Sequence, residues 1–273
     1  MTSADSEPRG AVPPGPRSEG RATREGGTAK TPPRRAGHTA GNTAGSDGRR
    51  VPLSQASELP RWLVALAGSA EKMTVPPSLR PPPGGGRHSA ILILFGDGPR
   101  GPDLLLVQRS SSLRRHAGQP AFPGGVIDSG DDGPAGAALR EAAEEAHVDP
   151  AGVDVVAILP DLYISRTGYR VSPVLGWWRK PVPVMPGDPA EVAAVARIPV
   201  ADLADPARRL MIRYPSGQAG PAFQAAGMLI WGFTAFVLDR LLALGGWERP
   251  WDAASVADLP PGTALTGLQD PVA

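Results

Sequence analysis

"FPGGVIDSGDDGPAGAALREAAEEAHV" runs from residue 122 to 148, and its reading decides how the rest of the chain is understood. Two glycines open it, Gly124 and Gly125, where the backbone can turn sharply and bring a carbonyl or an amide close to a ligand. Asp131-Asp132-Gly133-Pro134 then offers an N-cap candidate followed by proline near the first helical position, and "AGAALREAAEEA" consists mostly of strong helix formers. A helix from about 134 to 146 is predicted. On it Glu141, Glu144 and Glu145 fall at i, i+3 and i+4, so their carboxylates leave one face while Ala138, Leu139 and Ala142 turn inward.

Three like charges so close repel one another, and a purely structural helix would gain only solubility from them. A divalent cation reverses that sign. Oxygen ligands without cysteine favour Mg²⁺ or Mn²⁺ over zinc, and Mg²⁺ completes its shell with waters and substrate phosphate oxygens. The segment therefore points to phosphate chemistry. Arg140 can reach Glu144 at i, i+4 and so fix a carboxylate that would otherwise splay.

The remaining composition narrows the classes. Among 273 residues, 28 Lys/Arg face 27 Asp/Glu, so neither nucleic acid nor a membrane surface is expected as a partner on charge alone. With no cysteine, disulfides, thiolate metal sites and cysteine nucleophiles are excluded. The four histidines, His38, His88, His116 and His147, are too scattered for a zinc motif. The N-terminus lacks the apolar stretch of a secretory signal, and the apolar run from Ala225 is interrupted by Asp239-Arg240 before it reaches membrane-spanning length. A cytoplasmic protein is the expectation.

Along the chain, residues 1–50 carry nine Lys/Arg and five Asp/Glu with almost no large apolar side chain, so a disordered arm is expected there. Residues 51–86 read as a short helix with Leu59, Trp62, Leu63 and Leu66 at helical spacing, followed by a Pro/Gly-rich connection. The main domain is assigned to 87–246 and a tail to 247–273. "SAILILFG" and "DLLLVQRS" read as two strands joined by a hairpin or loop, and further strands are expected at 153–160 and 169–178. Helical character is read in 190–203 and in 228–246, the latter stopped by Gly245-Gly246.

Gly125, the acidic pair Asp131/Asp132 and "REAAEE" (Arg140 to Glu145) together resemble the Nudix box of pyrophosphohydrolases. That pattern is a glycine, five residues, an acid, seven residues, Arg-Glu, an aliphatic residue, any residue, Glu-Glu, any residue, glycine and an aliphatic residue. Here the interval from Gly125 to Arg140 is one residue longer, so Asp131 and Asp132 compete for the acid's place. The aliphatic position is Ala142 and the later glycine is His147, read as a loop or helix C-cap residue. The resemblance implies a Nudix-type α/β/α sandwich with a mixed β-sheet. It also implies metal coordination by Glu141, Glu144 and Glu145 with the Gly125 carbonyl, and an orienting role for Arg140.

Upstream, "LLLVQRSSSLRRHAGQPAFPGG" (104–125) resembles the extended signature of the coenzyme A pyrophosphatase branch of that family. The resemblance implies hydrolysis of the diphosphate of coenzyme A or acyl-CoA, giving adenosine 3′,5′-bisphosphate and 4′-phosphopantetheine or its acyl form. Such a substrate carries phosphates beyond the metal's reach, and Arg109, Arg114 and His116, with Gln119 as a hydrogen-bonding partner, are the candidates to hold it. A carboxylate must take the proton of the attacking water, and Glu144, Glu145 and the later Glu191 are the candidates. The rival readings are a Nudix enzyme acting on ADP-ribose, NADH or a nucleoside triphosphate, and a non-catalytic Nudix-like module, against which the intact glutamates count.

Overall fold

A computed structural model describes residues 59–113 and 116–259. The arm expected over 1–50, Arg114 and the end of the 247–273 tail lie outside the described residues.

The two apolar runs of the sequence form strands β1 (Arg87–Gly98) and β2 (Gly101–Arg109), paired antiparallel. In β1 both faces are buried, because Ile93 and Phe95 point into one apolar cluster and Ala90, Leu92 and Leu94 into another. That two-sided burial marks β1 as a central strand with layers above and below. Two short strands follow, β3 (Pro120–Ala121), which pairs with β2, and β4 (Gly124–Val126), which pairs with β1. Further along the chain come β5 (Val153–Ile158), β6 (Leu162–Ile164), β7 (Tyr169–Trp178) and β8 (Val192–Pro199). The main path runs β3-β2-β1-β7-β5, with β8 on β2 and β6 on β7. Only β1 and β7 pair parallel in this sheet among the described residues, which makes it mixed.

Helix α1 (Arg61–Ala70) buries Leu63 and Leu66 on one face of the sheet. Helix α2 (Gly133–Ala146) covers the other face, with Ala137, Ala138, Ala142 and Ala146 fully buried against Ala90, Leu92 and Leu94. After a single helical turn, α3 (Val200–Leu203), a second sheet forms from β9 (Arg209–Arg213), β10 (Ala219–Ala225) and β11 (Met228–Ile230). Helix α4 (Gly232–Leu244) then joins α1 in the first cluster, and β12 (Val256–Asp258) runs parallel to β9. Helices on both faces of a mixed sheet give the α/β/α sandwich, extended by the second sheet. No helix among the described residues is long and apolar enough to cross a membrane.

Two helical expectations are corrected. Residues 190–203 were expected to be helical, but Val192–Pro199 is a strand and only Val200–Leu203 turns helically. Pairing with β2 from Asp103 to Arg109 buries Val192 and Ile198, and that tertiary gain overrides the helix preference of the alanines. Within 228–246 the first residues, Met228–Ile230, pair with β10 as a strand, and the helix starts only at Gly232, whose φ of 66° breaks the extended run.

The chain after α4 is fastened to the second sheet by a buried cation. Arg209 has a fully buried side chain, bonds Asp239 of α4, approaches Glu248 at 3.7 Å, and lies over the rings of Trp251 and Phe223. Burial holds the Asp239 carboxyl above its usual range against the pull of Arg209 and Arg240. Removing one member of such a pair strands the other. Arg209→Ala is expected to lower the unfolding free energy by about 3–5 kcal/mol, read from the midpoint of urea denaturation at unchanged slope; a loss under about 1 kcal/mol would contradict the fastening role.

Candidate active site

The site is built where β4 slips between β1 and α2. Gly125 faces Ala90 and Gly124 faces Ile91 in the antiparallel register. A side chain on Gly124 would overlap the Ala90 carbonyl, and one on Gly125 would occupy the space of the Glu141 carboxylate. Neither glycine adopts a positive φ, so the sharp turn expected of them is corrected: they serve close approach within a strand.

Helix α2 can come this near because its inward face is alanine. Asp132 stands at its N-cap without a side-chain capping bond, Gly133 has φ 63°, and Pro134 occupies the first turn. His147 closes the helix in the left-handed region at φ 55°, where its backbone N–H reaches the Ala142 and Ala143 carbonyls and its Nδ1 donates to the Met185 carbonyl at 3.2 Å. This is the place at which the box pattern has glycine.

Arg140 is the organiser of the exposed side. Its Nε and Nη2 donate to the two oxygens of Asp131 at 2.9 and 3.1 Å, its Nη1 donates to Glu141 Oε1 at 2.9 Å and Glu144 Oε2 at 3.3 Å, and Nη2 also reaches the Val126 carbonyl at 3.1 Å. Of the two rival acids, Asp131 is therefore the one that meets the arginine. The Arg140 bonds, and then the Asp128 N–H, hold the Asp131 carboxyl below its usual range. The same bonds hold the Arg140 proton more tightly than usual.

Glu145 lies on the inner side, 5% exposed. Gly124 N–H donates to its Oε2 at 3.1 Å and Arg109 Nη1 to its Oε1 at 3.4 Å. Burial pushes its carboxyl up to about 7, against the Gly124 N–H and Arg109, and with the like charges of Glu141 and Glu191. Glu141 is also raised, first by burial, then opposed by Arg140, with Glu144 and Glu191 adding to the rise. Glu144 is the outlier of the three, 60% exposed on its side chain.

Glu191 enters from the segment between β7 and β8, and its backbone carbonyl accepts the Ser110 N–H at 2.7 Å. Arg109, Arg140, Glu141, Glu145 and Glu191 are thus brought into one electrostatic group. His116 and Gln119 stand in the adjoining loop and bond each other, His116 Nδ1 to Gln119 Oε1 at 3.0 Å, while the Gln119 carbonyl accepts the Arg109 N–H at 3.0 Å. The Arg109–Glu145 pair had no signal in the sequence, because residues 36 apart carry no local pattern. Trp178 is core, and Trp177 packs on Trp62 from the opposite face.

Among the described residues no three carboxylates or histidines stand together as a finished metal cage, since Glu144 is turned to Arg140. The donor set nevertheless fits a hard divalent cation: it is all oxygen, the charge of Glu141 adds to the burial that raises Glu145, and the bare Cα of Gly125 makes room beside Glu141.

Residues 86–215 match the NUDIX domain family. The uncharacterized Nudix hydrolase NudL of Escherichia coli K12 is 39% identical over 158 residues, which cover 57% of this chain and 81% of NudL. Among solved structures, the Nudix hydrolase RenU of M. smegmatis aligns with a TM-score of 0.43 at 21% identity, covering 61% of this chain and 91% of RenU. The NUDIX domain of Shewanella oneidensis NrtR, solved with ADP ribose, aligns with a TM-score of 0.35 at 19% identity, covering 56% and 86% of the two chains.

If the acid cluster is a cation site, Mn²⁺ or Mg²⁺ will stabilise the folded chain. At a hundredfold excess over Kd the gain is about 2.7 kcal/mol, a rise in Tm of roughly 5–10 °C for a domain of this size. Glu141→Gln should reduce the rise, and EDTA should reverse it; a Tm indifferent to the cation would remove the site.

Proposed function

The chain belongs to the Nudix family and is a pyrophosphohydrolase, and from that premise we propose that its substrate is coenzyme A or acyl-CoA. The products are adenosine 3′,5′-bisphosphate and 4′-phosphopantetheine or its acyl form. The observation that carries this reading is the run "RSSSLRRHAGQPAFPGG", residues 109–125, which leads without a break into the strand that backs the acid helix. Its first residue, Arg109, reaches Glu145, and its His116–Gln119 pair borders the same end of β2.

Glu141, Glu144 and Glu145, with the Gly125 carbonyl, would hold the divalent ion, Mg²⁺ or Mn²⁺. When bound, such an ion neutralises charge on the diphosphate and makes water more acidic. The chain's own residues do the rest. Arg140 keeps Glu141 oriented while Asp131 keeps Arg140 oriented. Arg109 and Arg114 would supply positive charge, and His116 hydrogen bonding, to the phosphates, including the 3′-phosphate that distinguishes coenzyme A from ADP-ribose or NADH.

Water attacks one phosphorus of the diphosphate, the bond from that phosphorus to the bridging oxygen breaks, and the water's proton passes to a carboxylate. Glu141 and Glu145 would be committed to the cation. Glu191, exposed and tied by its carbonyl to Ser110 next to Arg109, is the acid left to receive the proton.

Incubating the purified chain with Mn²⁺ or Mg²⁺ and coenzyme A, acyl-CoA, ADP-ribose and NADH, with products identified by mass, tests the substrate. Adenosine 3′,5′-bisphosphate is expected from coenzyme A or acyl-CoA; turnover of ADP-ribose with none of either overturns the assignment. Glu145→Gln should cut kcat by about 10²–10³-fold, the loss of several kcal/mol of charge stabilisation, with the far-ultraviolet circular dichroism unchanged. Near-normal turnover in that variant removes Glu145 from the metal site.

A further inference from the structure

The segment between β7 and β8, "RKPVPVMPGDPAE" at 179–191, crosses the C-terminal turn of α2 as a strap. Pro181, Pro183, Pro186 and Pro189 restrict its backbone to extended forms, so little entropy is lost when it docks. Val182 and Val184 pack against the apolar cluster beneath α2. His147 donates to the Met185 carbonyl, and the Gly187 N–H donates to the Glu145 carbonyl at 3.0 Å.

At Gly187 the strap rests directly on the helix backbone. A methyl group there would overlap the Glu144 carbonyl oxygen and stand 3.5 Å from the Glu145 Cα. Gly187 does not have a positive φ, so space rather than conformational freedom demands glycine. No rotamer change relieves the overlap, because the opposing atom belongs to the helix backbone.

From this seat to Glu191 the chain has little play. The Asp188 carbonyl accepts the Glu191 and Val192 N–H groups at 2.9 and 2.8 Å, and Asp188 Oδ1 accepts the Ala190 N–H at 2.8 Å. Glu191 is then tied to Ser110 by its own carbonyl. The level at which Gly187 seats on α2 therefore sets where Glu191 stands relative to Glu141 and Glu145.

We propose that Gly187 is a positioning residue for catalysis: its bare Cα lets the strap dock on the backbone of the acid helix and so holds Glu191 in reach of the reacting water. This rests on the reading that Glu191 takes the water's proton. A side chain at 187 lifts the strap, and a displacement of about 1 Å at a reacting group can cost a hundredfold in rate.

The test is a double-mutant cycle on whichever diphosphate the wild-type chain cleaves fastest. Gly187→Ala is expected to lower kcat by about 30–100-fold with KM within about threefold. Added to Glu191→Gln, it should cost no more than about threefold further, because both act through one carboxylate. Hydrogen exchange should quicken over 185–192 while α2 stays protected. If Gly187→Ala does not fold, Asp188→Ala, which removes a turn bond without adding bulk, should show the same lack of additivity.

Losses that multiply in the double variant, wild-type kcat in Gly187→Ala, or a raised KM at unchanged kcat would each overturn the proposal, as would full activity in Glu191→Gln. A wild-type chain that cleaves ADP-ribose but not coenzyme A overturns only the substrate assignment.

Discussion

Everything at the site depends on two missing side chains in one short strand. β4 can lie between β1 and α2 only because Gly124 presents nothing to the Ala90 carbonyl and Gly125 nothing to the Glu141 carboxylate. The alanines of α2 complete the condition, since Ala137, Ala138, Ala142 and Ala146 let the helix axis approach the sheet where leucines would hold it off. Once the helix is that close, Glu145 is forced under the strand. A carboxylate buried to that degree would be costly alone, and the Gly124 N–H and Arg109 offset part of the cost. The remainder appears as the raised pKa of Glu145, so the fold keeps an acid where water would serve it better. That is the expected mark of a functional site held in place by its surroundings.

The two arginines divide the acids between them. Arg140 sits on the outer side and is engaged by Asp131, Glu141 and Glu144, while Arg109 sits on the inner side with Glu145. With a net charge near zero over the chain, attraction of an anion has to come from local arrangement. Arg140 is engaged by carboxylates and the Val126 carbonyl through all its donors, and its proton is held firmly. Arg109 makes one long bond to Glu145, and among the described residues its buried Nε has no hydrogen-bonding partner. Its guanidinium therefore keeps donor capacity next to the acids, whereas that of Arg140 is spent.

What could be read from the sequence follows the range of the interactions involved. Helix α2 was legible to within a residue because its proline and alanines act locally, and the same holds for β1 and β2, whose apolar runs have strand length. Residues 192–199 misled because "VAAVARIP" is rich in helix formers, and only pairing with β2, some 90 residues earlier, makes it a strand. The Glu141, Glu144 and Glu145 face was visible as a pattern. That Glu144 would turn out to Arg140 while Glu145 turned in beneath Gly124 was not, since it depends on where the sheet lies. The strap over α2 left no periodic signal at all, being neither helix nor strand.

The meeting of β2 and β8 then joins the segment after Arg109 to Glu191 through the backbone. Their ladder is regular from Asp103 to Gln108 and shifts register between Gln108 and Arg109, so that Arg109 faces Val192. A shift of this kind re-aims side chains at the end of a strand. Here it leaves Arg109 on the face of Glu145 and puts Ser110 against Glu191, whose carbonyl takes the Ser110 N–H. Ser112 adds a bond from its hydroxyl to the Ala190 carbonyl, and the Gln119 carbonyl holds the Arg109 N–H from the other side. The loop that carries His116 and the acid at 191 are thus fixed to the same two residues, Arg109 and Ser110. A displacement of Arg109 or Ser110 therefore bears on Glu191 through backbone bonds rather than through a hinge.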